Sequence, residues 1–149
     1  MSKPQEKKLI AVLTSDAPQK EKADACRELG VIGTGDAVPA LAALLADPKL
    51  SHMARYGLEP IPDPAVDEAL RDAVGKLKGR PLVGVIGSLG VRRDAKAVPL
   101  LAGMLESREA DVAPTAARSL GKIGTPEAAQ VLRQALAKAP APLRPAVAD

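Results

Sequence analysis

Apolar residues recur along the chain at intervals of three and four positions, in short stretches interrupted by Gly, Pro and Asp. One stretch places Val38, Leu41, Leu44 and Leu45 on a single side of a helix, because helical neighbours are three or four residues apart. The pattern predicts short amphipathic helices over residues 5–14, 19–29, 49–58 and 142–148, with further helices beginning at Asp36, Asp63, Gly79, Asp94, Val112 and Thr125. The chain is therefore predicted to be all-α.

A Gly-x-x-Gly turn separates successive pairs of helices. It occurs at residues 30–33, 87–90 and 121–124, and in a fourth copy Glu59 and Pro62 replace the two glycines. The first positions of these copies are 30, 59, 87 and 121, which lie 29, 28 and 34 residues apart, a period typical of stacked helical repeats. We expect a right-handed α-solenoid of four to five helical hairpins in one repeat domain over residues 1–149, with units at about 5–33, 34–62, 63–90, 91–124 and 125–149.

The composition fits thin helical layers better than a thick globular centre. Hydrophobic residues make up 46% of the chain, but Phe and Trp are absent and Tyr56 is the only aromatic residue. The core must therefore consist of Ala, Leu, Val and Ile, which suit closely approaching helices. Most of the 14 prolines fall at predicted helix starts, where the missing N–H costs little.

The net charge of +3 is unevenly distributed along the chain. A basic patch spans Lys76 to Lys96, where a single carboxylate, Asp94, accompanies six cations: Lys76, Lys78, Arg80, Arg92, Arg93 and Lys96. A local patch of this kind fits an acidic partner better than general polyanion binding, which uses a longer basic stripe.

The cysteine content and the lack of a long apolar segment indicate the cellular compartment of the protein. Cys26 is the only cysteine, so no disulfide can form within the chain and a reducing compartment is expected. No apolar run reaches the roughly 18 residues of a spanning helix, and the segment after the basic N-terminus is too short for a signal peptide. We expect a cytoplasmic protein without membrane contact, or a module of a larger, exported protein.

The repeated motif resembles the HEAT repeat. Helix A begins at Asp and continues with Ala-Val-Pro, as at residues 36–39, and helix B ends with Ala-Ala-Arg-x-Leu-Gly-x-Ile-Gly, as at residues 116–124. The closer resemblance is to the short bacterial repeats shared with phycobilisome-lyase-like proteins. It implies an adaptor without chemistry of its own. One departure is that only Lys22 matches the basic residue that ties neighbouring HEAT units together, since Ser51, Gly79 and Ala113 occupy its other positions.

Stacking the units aligns equivalent positions on the concave, helix-B face, the surface with which solenoids bind partners. With the spacings above, one row contains Arg27, Tyr56, Gly84 and Arg118, a second contains His52 and Arg80, and a third contains Lys122. Arg and Tyr are common anchors of protein interfaces. The predicted partner-binding residues are Arg27, His52, Tyr56, Arg80, Arg118 and Lys122; alternatively, these are the ordinary polar residues of an exposed helix face.

Arg55 is unusual because the equivalent residues of the other units are small or apolar. A charge in that position must reach solvent or a carboxylate, since an unpaired buried charge is very unfavourable. We expect a structural ion pair of Arg55 that holds the proline-rich turn at residues 60–64. Glu59 is the candidate partner, with Asp63, Asp67 and Glu28 as further plausible partners; direct binding of a ligand is the alternative.

No set of residues predicts catalysis, a metal or a cofactor. His52 has no second histidine as a co-ligand, and Cys26 lies in a buried stripe rather than beside a base. The glycines of residues 84–90 neither follow a strand nor precede Gly-Lys-Ser/Thr, so they do not form a phosphate-binding loop. The paired carboxylates lie on exposed faces without an apolar pocket.

Three functions remain open from the sequence. The first is a non-catalytic scaffold that binds a protein or peptide. The second is binding of nucleic acid or phosphate through the basic patch; the absence of stacking aromatics and the small net charge count against it. The third is an enzyme that resembles bilin lyases.

Overall fold

A computed structural model describes residues 2–138, and every regular element within that range is helical. The helices are α1 (Ser2–Leu13), α2 (Gln19–Ile32), α3 (Val38–Ala42), α4 (Ser51–Leu58), α5 (Pro64–Val74), α6 (Gly79–Val91), α7 (Val98–Met104), α8 (Val112–Ile123) and α9 (Pro126–Lys138). The predicted all-α fold is confirmed. The predicted helix over residues 142–148 lies outside the described residues.

The chain divides into two compact units, Met1–Ala73 and Val74–Asp149. In the first unit, α1 packs against α2 and α3, while α4 packs against α2 and α3. This arrangement forms two layers, with α1 and α3 in the helix-A layer and α2 and α4 in the helix-B layer. Consecutive hairpins therefore bury their apolar stripes against the next hairpin, as expected for a helical repeat.

The second unit repeats the arrangement. Helix α6 packs against α8, which also contacts α7 and α9, and α7 contacts α9. The helix-B layer here consists of α6 and α8, and the helix-A layer consists of α7 and α9. The single repeat domain, its unit boundaries and its right-handed sense stay predictions.

Four polar side chains mark the start of successive helix-A segments at nearly equal spacing. Thr34 Oγ1 accepts a hydrogen bond from the N–H of Asp36, Asp63 Oδ1 accepts one from Ala65, Asp94 Oδ1 accepts one from Lys96 and Thr125 Oγ1 accepts one from Ala128. Such caps satisfy N–H groups that lack a partner within the helix. Asp36 was expected to be a cap, but Thr34 has that role.

A fully buried leucine precedes each of these caps by five residues: Leu29, Leu58, Leu89 and Leu120 are all 0% exposed. Successive caps lie 29, 31 and 31 residues apart, and so do successive leucines. Gly90, rather than Gly87, is therefore the residue equivalent to Gly30. The predicted register of the third repeat unit, residues 63–90, was therefore wrong by three residues. The error arose because α6 contains the Gly-x-x-Gly motif twice, at residues 84–87 and 87–90.

Neighbouring helices of the B layer approach each other through residues with little or no side chain. A Cβ atom added to Gly57 would lie 2.6 Å from the carbonyl oxygen of Cys26, and one added to Gly30 would lie 3.4 Å from the Cα atom of Gly57. In the second unit, a Cβ atom on Gly90 would lie 2.8 Å from the Cα atom of Ser119. The B layer thus depends on close backbone contact between helices.

The close contact between α6 and α8, which we call the seam of the second unit, also contains a buried hydrogen bond. The hydroxyl of Ser119 donates to the carbonyl oxygen of Ile86 at 2.9 Å, across the contact between α8 and α6. A buried hydroxyl requires such a partner, because an unsatisfied one would destabilise the fold. The bond therefore fixes the position of α8 along α6.

Several helix ends differ from the sequence expectation. Gly30 was expected to end α2, but the helix continues to Ile32, and its C-cap Gly33 has an extended backbone with φ −69°. Gly124, by contrast, ends α8 in the left-handed conformation with φ 68°, the conformation that glycine favours. In α9, the helical spacing of the apolar residues predicts that Val131, Leu132, Ala135 and Leu136 are buried, but all four keep partial exposure.

Two carboxylates tie turns to distant segments within a unit. Glu6 of α1 is 1% exposed and accepts hydrogen bonds from the backbone N–H of Thr34 at 2.6 Å and from its hydroxyl at 2.9 Å. Glu109 accepts a hydrogen bond from the N–H of Gly79 at the start of α6. Neither contact was predicted from the sequence.

The seam predicts opposite effects for two glycine substitutions in α6. Gly90→Ala places its methyl group against Ser119 and should lower the free energy of unfolding by about 1–3 kcal/mol. Gly87→Ala should raise it by up to about 1 kcal/mol, because no atom lies within 4 Å of the added Cβ and alanine favours the helix. Urea unfolding followed by circular dichroism measures both changes.

Gly87→Ala serves as the matched control, since the same substitution occurs one turn away in the same helix. Equal effects of the two substitutions would contradict the close contact between α6 and Ser119.

Candidate functional site

The exposed face of the helix-B layer in the first unit consists of residues from α2 and α4. Two residues before the buried leucines lie Arg27 and Tyr56, and both are exposed. One turn further along α2, Val31 is 82% exposed, while Tyr56 on α4 is 56% exposed. His52 is exposed one turn before Tyr56. Because α2 packs beside α4, these four residues form one surface, which we call the α2–α4 face.

The charges of the α2–α4 face are largely compensated within α2. Arg27 lies 3.0 Å from a carboxylate oxygen of Asp24, and Lys20 lies 3.7 Å from the other oxygen of that group. These partners are three and four residues apart, a spacing that brings side chains together on a helix. The surface that remains for binding is therefore mainly the apolar and aromatic area of Val31 and Tyr56.

The equivalent face of the second unit consists of residues from α6 and α8. Gly87 on α6 and Arg118 on α8 lie two residues before Leu89 and Leu120, and Val91 and Lys122 lie one turn further along. Val91 is 54% exposed, and Arg118 and Lys122 are exposed. We call this surface the α6–α8 face.

The corrected register changes the position of Arg80. The sequence spacing placed Arg80 in one row with His52, whereas the caps place Val83 in that row. Arg80 is exposed in the first turn of α6, three residues before the row. Its role as a partner-binding residue, like the roles of the other five candidates, stays a prediction.

The basic patch separates into two groups at opposite ends of α6. Lys76 and Lys78 precede the helix and Arg80 lies in its first turn, whereas Arg92, Arg93 and Lys96 follow its last residue. From Arg80 to Arg92 the helix rises by about 18 Å, at 1.5 Å per residue. Glu109 at the N–H of Gly79 adds a carboxylate to the first group. The six cations therefore do not form one compact cluster.

Arg55 lies where equivalent residues of the other helices are buried, as expected. Its side chain is half-buried, and its Nε atom is buried without a hydrogen-bond partner among the described residues. The hydroxyl oxygen of Ser51, one turn earlier on α4, is likewise buried without a hydrogen-bond partner among the described residues. Glu59 follows at the C-cap of α4, and its ion pair with Arg55 stays a prediction.

Cys26 belongs to the core of the first unit. It is fully buried, and burial raises the pKa of its thiol to about 11. Since the thiolate is the nucleophilic form, the native thiol is unreactive near neutral pH. This agrees with the interpretation of Cys26 as a small core residue.

The described residues contain no group of three or more His, Cys, Asp and Glu side chains that could hold a metal ion. None of the described helices has the length and apolar character needed to cross a membrane.

Two exposed apolar residues, Val31 and Val91, lie on the α2–α4 and α6–α8 faces but are not among the predicted partner-binding residues. They are equivalent, because each lies two residues after a fully buried leucine. The signal was present in the helical spacing, since Val31 lies four residues after Arg27. Val91 falls outside the predicted rows, because the sequence spacing shifts the third repeat unit by three residues.

The paired layers of short helices define a helical-repeat protein. Residues 83–149 match the family model of HEAT repeats, which supports the resemblance that the sequence motif predicted. The resemblance to the phycobilisome-lyase-like type stays a prediction. A comparison with curated proteins gave no match. HEAT repeats generally mediate protein–protein interactions or act as scaffolds, and they are typically non-catalytic.

The burial of Cys26 predicts a pH dependence of stability. Its pKa is raised from 9.0 to about 11 in the folded chain, so the unfolded state releases the thiol proton first. The stabilisation is fully present below pH 9 and is lost as the pH rises to about 11. Between these values the free energy of unfolding should fall by up to about 1.4 kcal/mol per pH unit from this group.

Urea titrations between pH 8 and pH 11 measure this dependence, and Cys26→Ala is the control because it lacks the thiol. The same slope in both proteins would show that Cys26 titrates normally in the folded state.

Proposed function

We propose that the chain is a non-catalytic interaction module that binds a protein partner through the exposed faces of its helix-B layer. The observation that carries this proposal is the exposure of Val31 and Tyr56, two large apolar side chains, on neighbouring helices of one surface. A soluble repeat gains no internal packing from side chains in this position. Large exposed apolar groups with arginine beside them are typical of interface anchors.

The α2–α4 face has the chemical character of such an anchor. Tyr56 offers an aromatic ring and a hydroxyl with few rotatable bonds, so its immobilisation on binding loses little entropy. Arg27 borders it at the equivalent position of α2 and shares Asp24 with Lys20. A partner can therefore bury apolar area on Val31 and Tyr56 without leaving an unpaired charge.

The two other functions receive no further support. Binding of nucleic acid or phosphate through the basic patch would require cations that act together, and the patch is divided between the two ends of α6. An enzyme resembling bilin lyases would require a reactive group, and burial raises the pKa of the Cys26 thiol to about 11. We therefore infer an adaptor rather than an enzyme.

A photo-crosslinking amino acid at position 56 should capture the partner in cells that contain it. Tyr56→Ala should then weaken binding of the purified partner at least tenfold, because truncation of an interface hot spot removes about 2 kcal/mol or more. Isothermal titration calorimetry measures the affinity.

Leu136→Ala is a suitable control, since Leu136 is 38% exposed but lies on α9 in the helix-A layer. Loss of affinity with Leu136→Ala and none with Tyr56→Ala would place the interface on the other layer and contradict the proposal.

A further inference from the structure

The α6–α8 face carries positive charge that nothing within its own helices compensates. Neither α6 nor α8 contains an Asp or Glu residue. Arg118 and Lys122 form no salt bridge with any described residue. In the α2–α4 face, by contrast, Asp24 pairs with both Arg27 and Lys20. The two faces occupy equivalent positions but differ in free charge.

Beside these cations, α6 leaves space where other helices of the B layer carry a side chain. Gly87 is equivalent to Arg27, Tyr56 and Arg118, and no atom lies within 4 Å of a Cβ atom added to it. A segment that lies along α6 can therefore approach its backbone closely at this point. Val91, 54% exposed, adds an apolar contact one turn further along.

The spacing of the two cations matches an extended chain. Arg118 and Lys122 are four residues apart on α8, which corresponds to a rise of about 6 Å. In an extended segment, side chains at alternate positions point to the same side and lie about 6.6 Å apart. Carboxylates at two alternate positions of such a segment can therefore contact Arg118 and Lys122 at the same time.

We propose that the α6–α8 face binds an acidic, extended segment of a partner protein. Carboxylates at alternate positions contact Arg118 and Lys122, the backbone of the segment lies over Gly87, and an apolar side chain packs on Val91. This inference rests on the proposed function, because it specifies the chemistry of the partner. Charge complementarity of this kind selects the partner and speeds association.

The test uses the full chain and a short fluorescein-labelled peptide in which Glu alternates with Val. Fluorescence anisotropy should detect saturable binding at low salt, and binding should weaken about tenfold when NaCl increases from about 50 to about 500 mM, because exposed charges are screened. A peptide with Gln in place of Glu and one with adjacent rather than alternating Glu residues should bind at least about fivefold more weakly.

Two pairs of variants locate the binding site. Arg118→Glu should weaken binding about tenfold, since it replaces an attraction by a repulsion, whereas Arg133→Glu makes the same charge change on α9 and should have no effect. Gly87→Gln should block the space beside Arg118. Gly103→Gln on α7 is its control, because an added Cβ atom also meets nothing within 4 Å there. Circular dichroism verifies that all four variants fold.

Equal binding by Arg118→Glu and Arg133→Glu, or by Gly87→Gln and Gly103→Gln, would overturn the inference. So would a lack of peptide binding at low salt, or tighter binding of a single-stranded oligonucleotide at the same face. If the peptide fails while Tyr56→Ala still weakens binding of the captured partner, only the chemistry of the segment is refuted. If neither Tyr56→Ala nor Arg118→Glu affects the captured partner, the proposed function itself fails.

Discussion

Close backbone contact between neighbouring B helices is the constraint on which each unit depends. Gly57 sits against the carbonyl oxygen of Cys26, and Gly90 sits against the backbone of Ser119. The chain has no Phe or Trp with which to fill a wider gap, so short aliphatic side chains must be brought together by closely spaced helices. Dispersion contacts weaken rapidly as such a gap opens. The small residues of the seam therefore determine how well the leucines beside them pack.

Residues on the outer side of the B layer do not take part in this packing between helices. Residues that lie two positions before the buried leucines point away from the seam, and they differ widely: arginine, tyrosine, glycine and arginine at positions 27, 56, 87 and 118. Leucine occupies the inner position in all four helices. This variation on one side, with leucine constant on the other, agrees with the proposed function.

The helices were predictable because their signals are local. Proline and aspartate begin them, and apolar residues at intervals of three and four define their buried sides, as Val66, Leu70 and Val74 do in α5. The register of the third unit was not predictable in the same way. Gly87 and Gly90 both fit the motif, and what distinguishes them is the position of buried Leu89, the cap at Asp94 and the contact of Gly90 with Ser119.

The candidate surface was predictable only in part. Arg27, Tyr56, Arg118 and Lys122 were identified because an exposed helical position leaves a mark in the sequence. Contacts between distant segments leave none. The bond from Thr34 to Glu6 joins residues 28 positions apart, and Glu6 looks like any charged residue in the first turns of a helix. The pairing of Asp24 with Arg27, and hence the difference in free charge between the two faces, likewise required side-chain geometry.

The complete burial of Cys26 has a practical consequence for spectroscopy. Because the single native thiol is fully buried, a cysteine introduced on the surface would accept a maleimide dye or a nitroxide label selectively in the folded protein. Probes could thus be attached without first replacing a core side chain, and resonance-energy transfer or electron–electron distance measurements would report on the native fold.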